Sequence, residues 1–237
     1  MFKIIDINEN TESFKSCIQS IKNINNNKLK NKFTLQSKYS NTFDLRHENH
    51  ICAIYQYDNA FLNILHDHDI FNEIEKMTKK KVYLLHIQYR NVLDGKYSYQ
   101  AWHRDTYYKG DGIFHGWTPP VYKVIFYPRI NNVVEPCLNI VPNSHLRFKN
   151  EGKNLNDYND EDLFKNYTDY NEKIIDIYPD NKLLIFNTSL YHNACMSNEN
   201  KLQTRIIYSF TTDTDKINDI LEKKQKFDCE LVKTNFN

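Results

Sequence analysis

The sequence predicts one mainly β domain, a sandwich or barrel, with a helical flank on its amino-terminal side. Apolar residues recur at helical spacing up to about residue 80, and from residue 81 they alternate with polar residues at a period of two. Short apolar runs then follow one another, separated by Asn, Pro and Asp, without the long helices that a βαβ fold requires. With 237 residues the chain is long enough for one well-buried core.

The helical flank is assigned to residues 1–80. Residues 11–24 place apolar side chains at helical spacing, and Thr11 is a suitable N-cap. A strand is expected over 50–57, and two short helices are expected within 59–77.

The β core is assigned to residues 81–212. Its first strand, 81–92, has an apolar and aromatic face that carries Tyr83, Leu85, Ile87 and Tyr89. The opposite face is polar and carries His86, Gln88 and Arg90. Later strands are predicted over 121–127, 137–141, 174–177, 183–186 and 205–210. Residues 150–171 are interpreted as an inserted loop and 213–237 as a carboxy-terminal extension, so that 1–237 form a single domain.

Charge and cysteine content narrow the class of protein. Lys and Arg number 31 against 30 Asp and Glu, so the whole-chain charge of +1 gives no indication of nucleic-acid or membrane binding. The five cysteines are odd in number and contain no CxxC pair, which argues against a disulfide framework and a structural zinc site.

No stretch reaches the length of a membrane span, and no secretory leader is visible. A soluble protein of the cytoplasm, or of the host cytoplasm if the chain is viral, is expected. The oligomeric state stays open.

Three residues could hold a metal ion. In an extended segment, positions i and i+2 project to one side, so His103 and Asp105 can reach the same ion. His192 follows the buried apolar run 183–186. Two imidazoles and one carboxylate hold Fe(II) on one face and leave positions open for a co-substrate and O2. The alternative is a surface His–Asp pair together with a structural histidine.

Arg205 is a candidate for binding an anionic co-substrate. It opens the strand 205–210, thirteen residues after His192. An arginine that points into a β-barrel is costly unless an anion pairs with it, and a dicarboxylate would do so through two parallel hydrogen bonds. An edge arginine in solvent is the alternative.

Four segments of the sequence match, in the same order, four motifs of one known protein family. Residues 69–74 (DIFNEI) look like a helix of that family, and 102–105 (WHRD) match its W-H-x-D motif. Residues 137–145 (CLNIVPNSH) are similar to its G-x-L-x-V-x-P-G-S-H, and 182–194 match the strand and loop before its distal histidine. From about residue 60 to 212 the chain thus resembles the phytanoyl-CoA dioxygenase family of Fe(II)- and 2-oxoglutarate-dependent oxygenases.

The resemblance implies a double-stranded β-helix, which is a jelly-roll barrel of the cupin type. It implies that His103, Asp105 and His192 bind Fe(II), that Arg205 holds the C5 carboxylate of 2-oxoglutarate, and that O2 is the oxidant. Because Asp105 is present where Ala or Gly would leave a position for halide, hydroxylation is favoured over halogenation. Asn143 replaces the usual glycine of a turn that is interpreted as structural.

The substrate end of the site is predicted from the polar face of the strand 81–92. If that face looks into the barrel, we expect Gln88 to contact 2-oxoglutarate or substrate and His86 to contact substrate; if it looks outward, the strand is an ordinary amphipathic one. A lid is expected from Tyr107, Tyr108 and Trp117, in a glycine-containing aromatic segment whose alternative is a plain surface loop.

The expected function is hydroxylation of a polar small molecule, with 2-oxoglutarate converted to succinate and CO2. Two alternatives stay open: a catalytically silent jelly-roll binding domain, and a cupin-like metal enzyme that does not use 2-oxoglutarate.

Overall fold

The computed structural model describes residues 2–25, 49–52, 54–56, 58–92, 106–108, 114–116, 121–130, 136–144, 174–195 and 203–212. Helices within these ranges are α1 (Glu12–Asn25), α2 (Ala60–Asp67) and α3 (Ile70–Thr78), and Ile54–Gln56 form a 3-10 turn. The strands in the first half of the chain are β1 (Phe2–Asp6), β2 (Asn49–Cys52), β3 (Tyr83–Val92), β4 (Thr106–Tyr108) and β5 (Phe114–Gly116). The later strands are β6 (Val121–Tyr127), β7 (Leu138–Ile140), β8 (Ile175–Ile177), β9 (Lys182–Asn187), β10 (His192–Ala194) and β11 (Gln203–Thr211).

The strands form two facing sheets and a short hairpin. The large sheet has six strands in the order β1-β9-β6-β11-β3-β2, and the small sheet has three in the order β10-β7-β8. The strands β4 and β5 pair with each other. Each of these pairings is antiparallel.

The helices cover one face of the large sheet, which we call its outer face. Thr11 is the N-cap of α1: its Oγ1 accepts a hydrogen bond from the backbone N–H of Phe14, as the sequence predicted. Its apolar stripe, with Cys17 and Ile21 fully buried, joins one core with α2, α3 and the outer-face residues of the sheet, such as Tyr208 and Phe210. This amphipathic packing stabilises helices that would be marginal alone.

The opposite, inner face of the large sheet packs against the small sheet. Its apolar side chains Ile125, Leu184 and Ile207 lie in one cluster with Leu138 and Ile140 of β7. Because side chains alternate across a strand, every second residue of β6, β9 and β11 points into the space between the two sheets. Functional side chains on these positions can therefore converge.

Several elements differ from the sequence prediction. The strand expected over 50–57 is shorter: in the described part of this range, β2 ends at Cys52 and Ile54–Gln56 form a 3-10 turn. The strand β1 was not predicted, since its apolar residues Phe2, Ile4 and Ile5 do not alternate cleanly. Strands of three residues, such as β10, are too short to show a period of two.

A β-bulge in β3 corrects the predicted faces of that strand. Ser209 pairs with His86, but Phe210 pairs with Leu84, so Leu85 is the extra residue. The bulge shifts the alternation, and the buried outer-face residues are Val82 and Leu84 with Ile87 and Tyr89. The assignment of Tyr83 to the face of Ile87 was therefore wrong.

Within the described ranges, no helix is both long and apolar enough to cross a membrane.

Candidate active site

The polar face of β3 looks into the space between the two sheets. Gln88 pairs with Ile207, which belongs to the inner core, and Arg90 pairs with Arg205 two positions further along. Directly opposed residues of an antiparallel pair project to the same side. The Arg90 guanidinium donates a 2.7 Å hydrogen bond from Nη2 to Oε1 of Gln88. This bond holds the amide oxygen, so the NH2 group of Gln88 points away from Arg90.

His192 opens β10 in the small sheet and is 4% exposed. Its ring meets the edge of the Phe186 ring with centroids 5.2 Å apart, so it also faces the inner side of the large sheet. The Nδ1 atom lies 2.8 Å from the carbonyl oxygen of Leu190. Since a carbonyl can only accept, Nδ1 carries a proton. In the neutral ring the lone pair is then on Nε2, which is the tautomer that binds a metal through Nε2.

Ser144 stabilises the turn before His192 through two hydrogen bonds. This buried serine donates a 2.8 Å hydrogen bond to the carbonyl of Val141 and accepts a 2.7 Å hydrogen bond from the backbone N–H of Tyr191. Asn143 precedes it with φ of 60°, a left-handed conformation that asparagine tolerates better than most residues. The predicted structural role of this turn thus includes positioning the residue next to His192.

Arg205 is 6% exposed and lies at the far end of the same inner face. Among the described residues no carboxylate forms an ion pair with its guanidinium. Its Nε is buried without a hydrogen-bond partner. A buried guanidinium in this state is unfavourable until an anion accepts its hydrogen bonds.

Two further polar groups surround Arg205, and the sequence prediction missed both. Ile206 pairs with Phe126, so Tyr127 is the next residue across from Arg205, and Gln203 precedes Arg205 by two positions on β11. The Tyr127 hydroxyl lies beside the Arg205 guanidinium, but their relative orientation does not meet the geometry of a hydrogen bond. Both the Tyr127 hydroxyl and Nε2 of Gln203 are buried without a hydrogen-bond partner. Gln203 lies two residues before Arg205 and therefore on the same face of the strand, and this spacing could have identified it from the sequence.

Burial around Arg205 keeps its neighbours neutral. Burial raises the pKa of the Tyr127 hydroxyl, although the nearby Arg205 charge acts in the opposite direction. Burial also raises the pKa of the Cys137 thiol to about 12, again against the effect of Arg205. The end of the inner face near Arg205 therefore carries a cation among neutral groups, which suits an anionic ligand.

Some predicted site residues lie outside the described part of the chain. These are His103, Asp105 and Trp117, together with the side chains of His86, Tyr107 and Tyr108. By backbone register His86 stands opposite Ser209, and Tyr107 and Tyr108 belong to β4, so part of the expected lid segment is a hairpin strand. Within the described ranges no three His, Cys, Asp or Glu residues form a group that could hold a metal. The iron triad and the lid stay predictions.

No protein-family model and no curated protein matches the sequence, but solved structures share the fold. EctD from S. alaskensis with bound Fe has a TM-score of 0.62 at 10% identity, over 89% of this chain and 72% of that one. The non-heme alpha ketoglutarate dependent carbocyclase SnoK from nogalamycin biosynthesis has a TM-score of 0.58 at 10% identity, over 88% and 78%. HygX from Streptomyces hygroscopicus, with nickel and 2-oxoglutarate bound, has a TM-score of 0.55 at 12% identity, over 90% and 83%.

This structural likeness confirms the predicted fold. The chain is a double-stranded β-helix, or jelly roll, with a helical flank. The neighbours that share this fold include a non-heme alpha ketoglutarate dependent carbocyclase, a protein with bound Fe, and a protein with nickel and 2-oxoglutarate bound. At 10–12% identity the likeness concerns the fold, and function has to be argued from the site.

Proposed function

We propose that the chain is an Fe(II)- and 2-oxoglutarate-dependent oxygenase that hydroxylates a polar small molecule. One observation carries the proposal: Arg205, Tyr127 and Gln203 bring three buried, unpartnered polar groups together at one end of the inner face. His192 lies on the other side of that space, and the fold is shared with structures solved with iron or with nickel and 2-oxoglutarate.

The three groups near Arg205 fit a carboxylate. A guanidinium donates two parallel hydrogen bonds to a carboxylate, while a hydroxyl and an amide can donate one more each. Each buried polar group that stays unpaired costs about 1–3 kcal/mol, so a bound carboxylate would recover several such penalties together. The C5 carboxylate of 2-oxoglutarate is the ligand that this fold supports best.

The donor set at the opposite end fits Fe(II). The protonation of His192 at Nδ1 presents Nε2 as a ligand, and His103 and Asp105 would complete two imidazoles and one carboxylate. When bound, the iron would supply activation of O2, so that a C–H bond becomes C–OH while 2-oxoglutarate becomes succinate and CO2. The Phe186 ring covers one side of the His192 ring.

The remaining residues orient the reactants. The Gln88 amide, held through its Oε1 by Arg90, directs its NH2 group toward 2-oxoglutarate or substrate. His86 would contact substrate, and the segment with Tyr107, Tyr108 and Trp117 would close over it. Arg205 fixes 2-oxoglutarate at its far end, which directs the opposite end of the co-substrate toward the metal.

Binding of 2-oxoglutarate to the Mn(II)-loaded protein tests the proposal, since Mn(II) replaces Fe(II) without turnover. Arg205→Ala should raise the dissociation constant for 2-oxoglutarate roughly 10- to 100-fold, because hydrogen bonds to charged groups contribute about 1.5–3 kcal/mol. Arg205→Lys should restore only part of the affinity, since an ammonium cannot form the bidentate pair. Calorimetry measures both values.

Arg129→Ala is the matched control, because Arg129 is exposed beyond the end of β6 and should leave the affinity unchanged. Unchanged 2-oxoglutarate binding in Arg205→Ala would transfer the role to another inner-face cation, Arg90 or Lys123, and remove the main support for the proposal.

A further inference from the structure

The small sheet contributes a buried cysteine, Cys137, to the space around Arg205. Cys137 directly precedes β7 and is fully buried in the inner-face cluster that also contains Tyr127. Its thiol lies beside the Gln203 amide and close enough to the Arg205 guanidinium to feel its charge. Cys137 therefore adjoins three buried polar groups, on Tyr127, Gln203 and Arg205, that have no hydrogen-bond partner within the described part of the chain.

The backbone holds Cys137 in place from two sides. Its N–H donates a 2.7 Å hydrogen bond to the carbonyl oxygen of Ile177 at the end of β8. Its own carbonyl oxygen accepts a 3.0 Å hydrogen bond from the N–H of Cys195, which directly follows β10. Because both neighbouring strands bind this backbone, the side chain cannot recede without breaking the small sheet, and the thiol is a fixed part of the wall.

The thiol of Cys137 contributes volume to this wall, and neither charge nor a strong hydrogen bond. Burial raises its pKa to about 12, so the thiol is neutral at physiological pH. A thiol is also a weak hydrogen-bond donor, so a carboxylate is bound by the guanidinium, hydroxyl and amide beside it. What Cys137 determines is the room that is left for the carboxylate end of a ligand.

The proposed co-substrate is bound at both ends, which makes its length critical. One end is directed to the metal beside His192, and the other end is held by Arg205. A longer acid would have to take up its extra length at Arg205, where the Cys137 thiol occupies space next to the Gln203 amide. In a close-packed site, one methylene changes binding about 10- to 200-fold.

We infer that Cys137 is a specificity-determining residue that limits the length of the 2-oxo acid bound at Arg205. It admits 2-oxoglutarate and discriminates against 2-oxoadipate, the homologue with one more methylene. The inference rests on the proposed function, because it takes the three polar groups beside Cys137 as the site of the distal carboxylate.

The test compares the dissociation constants of 2-oxoglutarate and 2-oxoadipate by calorimetry on the full chain loaded with Mn(II). Wild-type protein should bind 2-oxoglutarate about tenfold or more tightly than 2-oxoadipate. Cys137→Ala removes the thiol and should reduce this preference about fivefold or more, chiefly through tighter binding of 2-oxoadipate. Cys137→Val adds bulk at the same position and should increase the preference for 2-oxoglutarate.

Cys17→Ala is the matched control, because Cys17 is also a fully buried cysteine but packs among the helices and the outer face of the large sheet. It should leave the preference unchanged. Equal affinity of wild type for the two acids, an unchanged preference in both Cys137 variants, or the same change in Cys17→Ala would overturn the inference, while 2-oxoglutarate binding would uphold the proposed function. Wild-type protein that binds neither acid would reject the proposed function and the inference together.

Discussion

At the scale of single residues, the environment of each side chain decides its chemistry. The Leu190 carbonyl accepts the hydrogen bond of His192 Nδ1, and the Arg205 guanidinium is buried beside Tyr127 with its Nε unpaired, which favours an anionic ligand. The sequence singled out His192, which follows a buried apolar run, and Arg205, which opens the next strand, and the family resemblance implied a role for each. It could not predict Tyr127, which ends an apolar strand and looks like a core residue until the register places it opposite Arg205.

The Cys137 thiol gives a prediction about pH. Burial raises its pKa in the folded protein from an ordinary value of 9.0 to about 12. The folded state therefore binds this proton more tightly than the unfolded state. Its contribution to stability is complete below pH 9 and is lost as the pH rises from 9 toward 12.

Urea unfolding of wild type and Cys137→Ala between neutral pH and pH 11 measures this contribution. Other buried groups, such as Tyr127 and Tyr208, also destabilise the fold at high pH. The free energy of unfolding should nevertheless fall less steeply with pH in Cys137→Ala than in wild type. Parallel curves for the two proteins would show that burial of the thiol does not control its ionisation.

At the scale of elements, short strands and turns bring the site residues together. The sequence predicted the long strands β6 and β11 from their alternation. It missed β10 and the bulge in β3, because three residues show no period and an extra residue changes the alternation without a signal of its own. The sequence predicted a structural turn at Asn143, and the structure shows this residue at φ of 60°, in the left-handed region.

The hydrogen bond from Tyr191 to Ser144 predicts a positioning effect. Ser144→Ala leaves the backbone N–H of Tyr191 buried without this acceptor, which should cost about 1–3 kcal/mol of folding free energy. Because Tyr191 adjoins His192, the affinity for Mn(II) should fall as well. Metal titration together with urea unfolding measures the two effects.

Ser16→Ala provides the comparison for Ser144→Ala, since the Ser16 hydroxyl donates to Asp58 on the exposed side of α1. It should leave Mn(II) affinity unchanged. If Ser144→Ala lost stability but bound Mn(II) as wild type does, the turn would support the fold without orienting the histidine.

At the scale of the whole molecule, the large sheet separates two environments. Its outer face is sealed by the helices, and its inner face carries the cations and faces the small sheet. Alternation along the strands makes this division possible, because neighbouring residues such as Ile206 and Arg205 serve opposite faces. The sequence predicted the helical flank and the β core, but the order of strands in the sheet depends on long-range pairing that local patterns do not encode.

The separation predicts that core mutations on the helical side affect stability and not the site. Phe61 of α2 is fully buried against the outer face, and Phe61→Ala should cost about 3–5 kcal/mol of folding free energy. The remaining folded protein should bind 2-oxoglutarate with wild-type affinity. Urea unfolding and calorimetry at low temperature measure both quantities. A large loss of affinity in protein shown to be folded would mean that the two faces are coupled.

The most direct test of the central claim is the formation of succinate from 2-oxoglutarate by the purified protein with Fe(II), ascorbate and O2. We expect slow succinate formation even without primary substrate, dependent on both iron and O2. The activity should be lost in His103→Ala, Asp105→Ala and His192→Ala and strongly reduced in Arg205→Ala at low 2-oxoglutarate. Wild-type protein that binds iron but neither binds nor consumes 2-oxoglutarate, or a His192→Ala protein with full activity, would contradict the account.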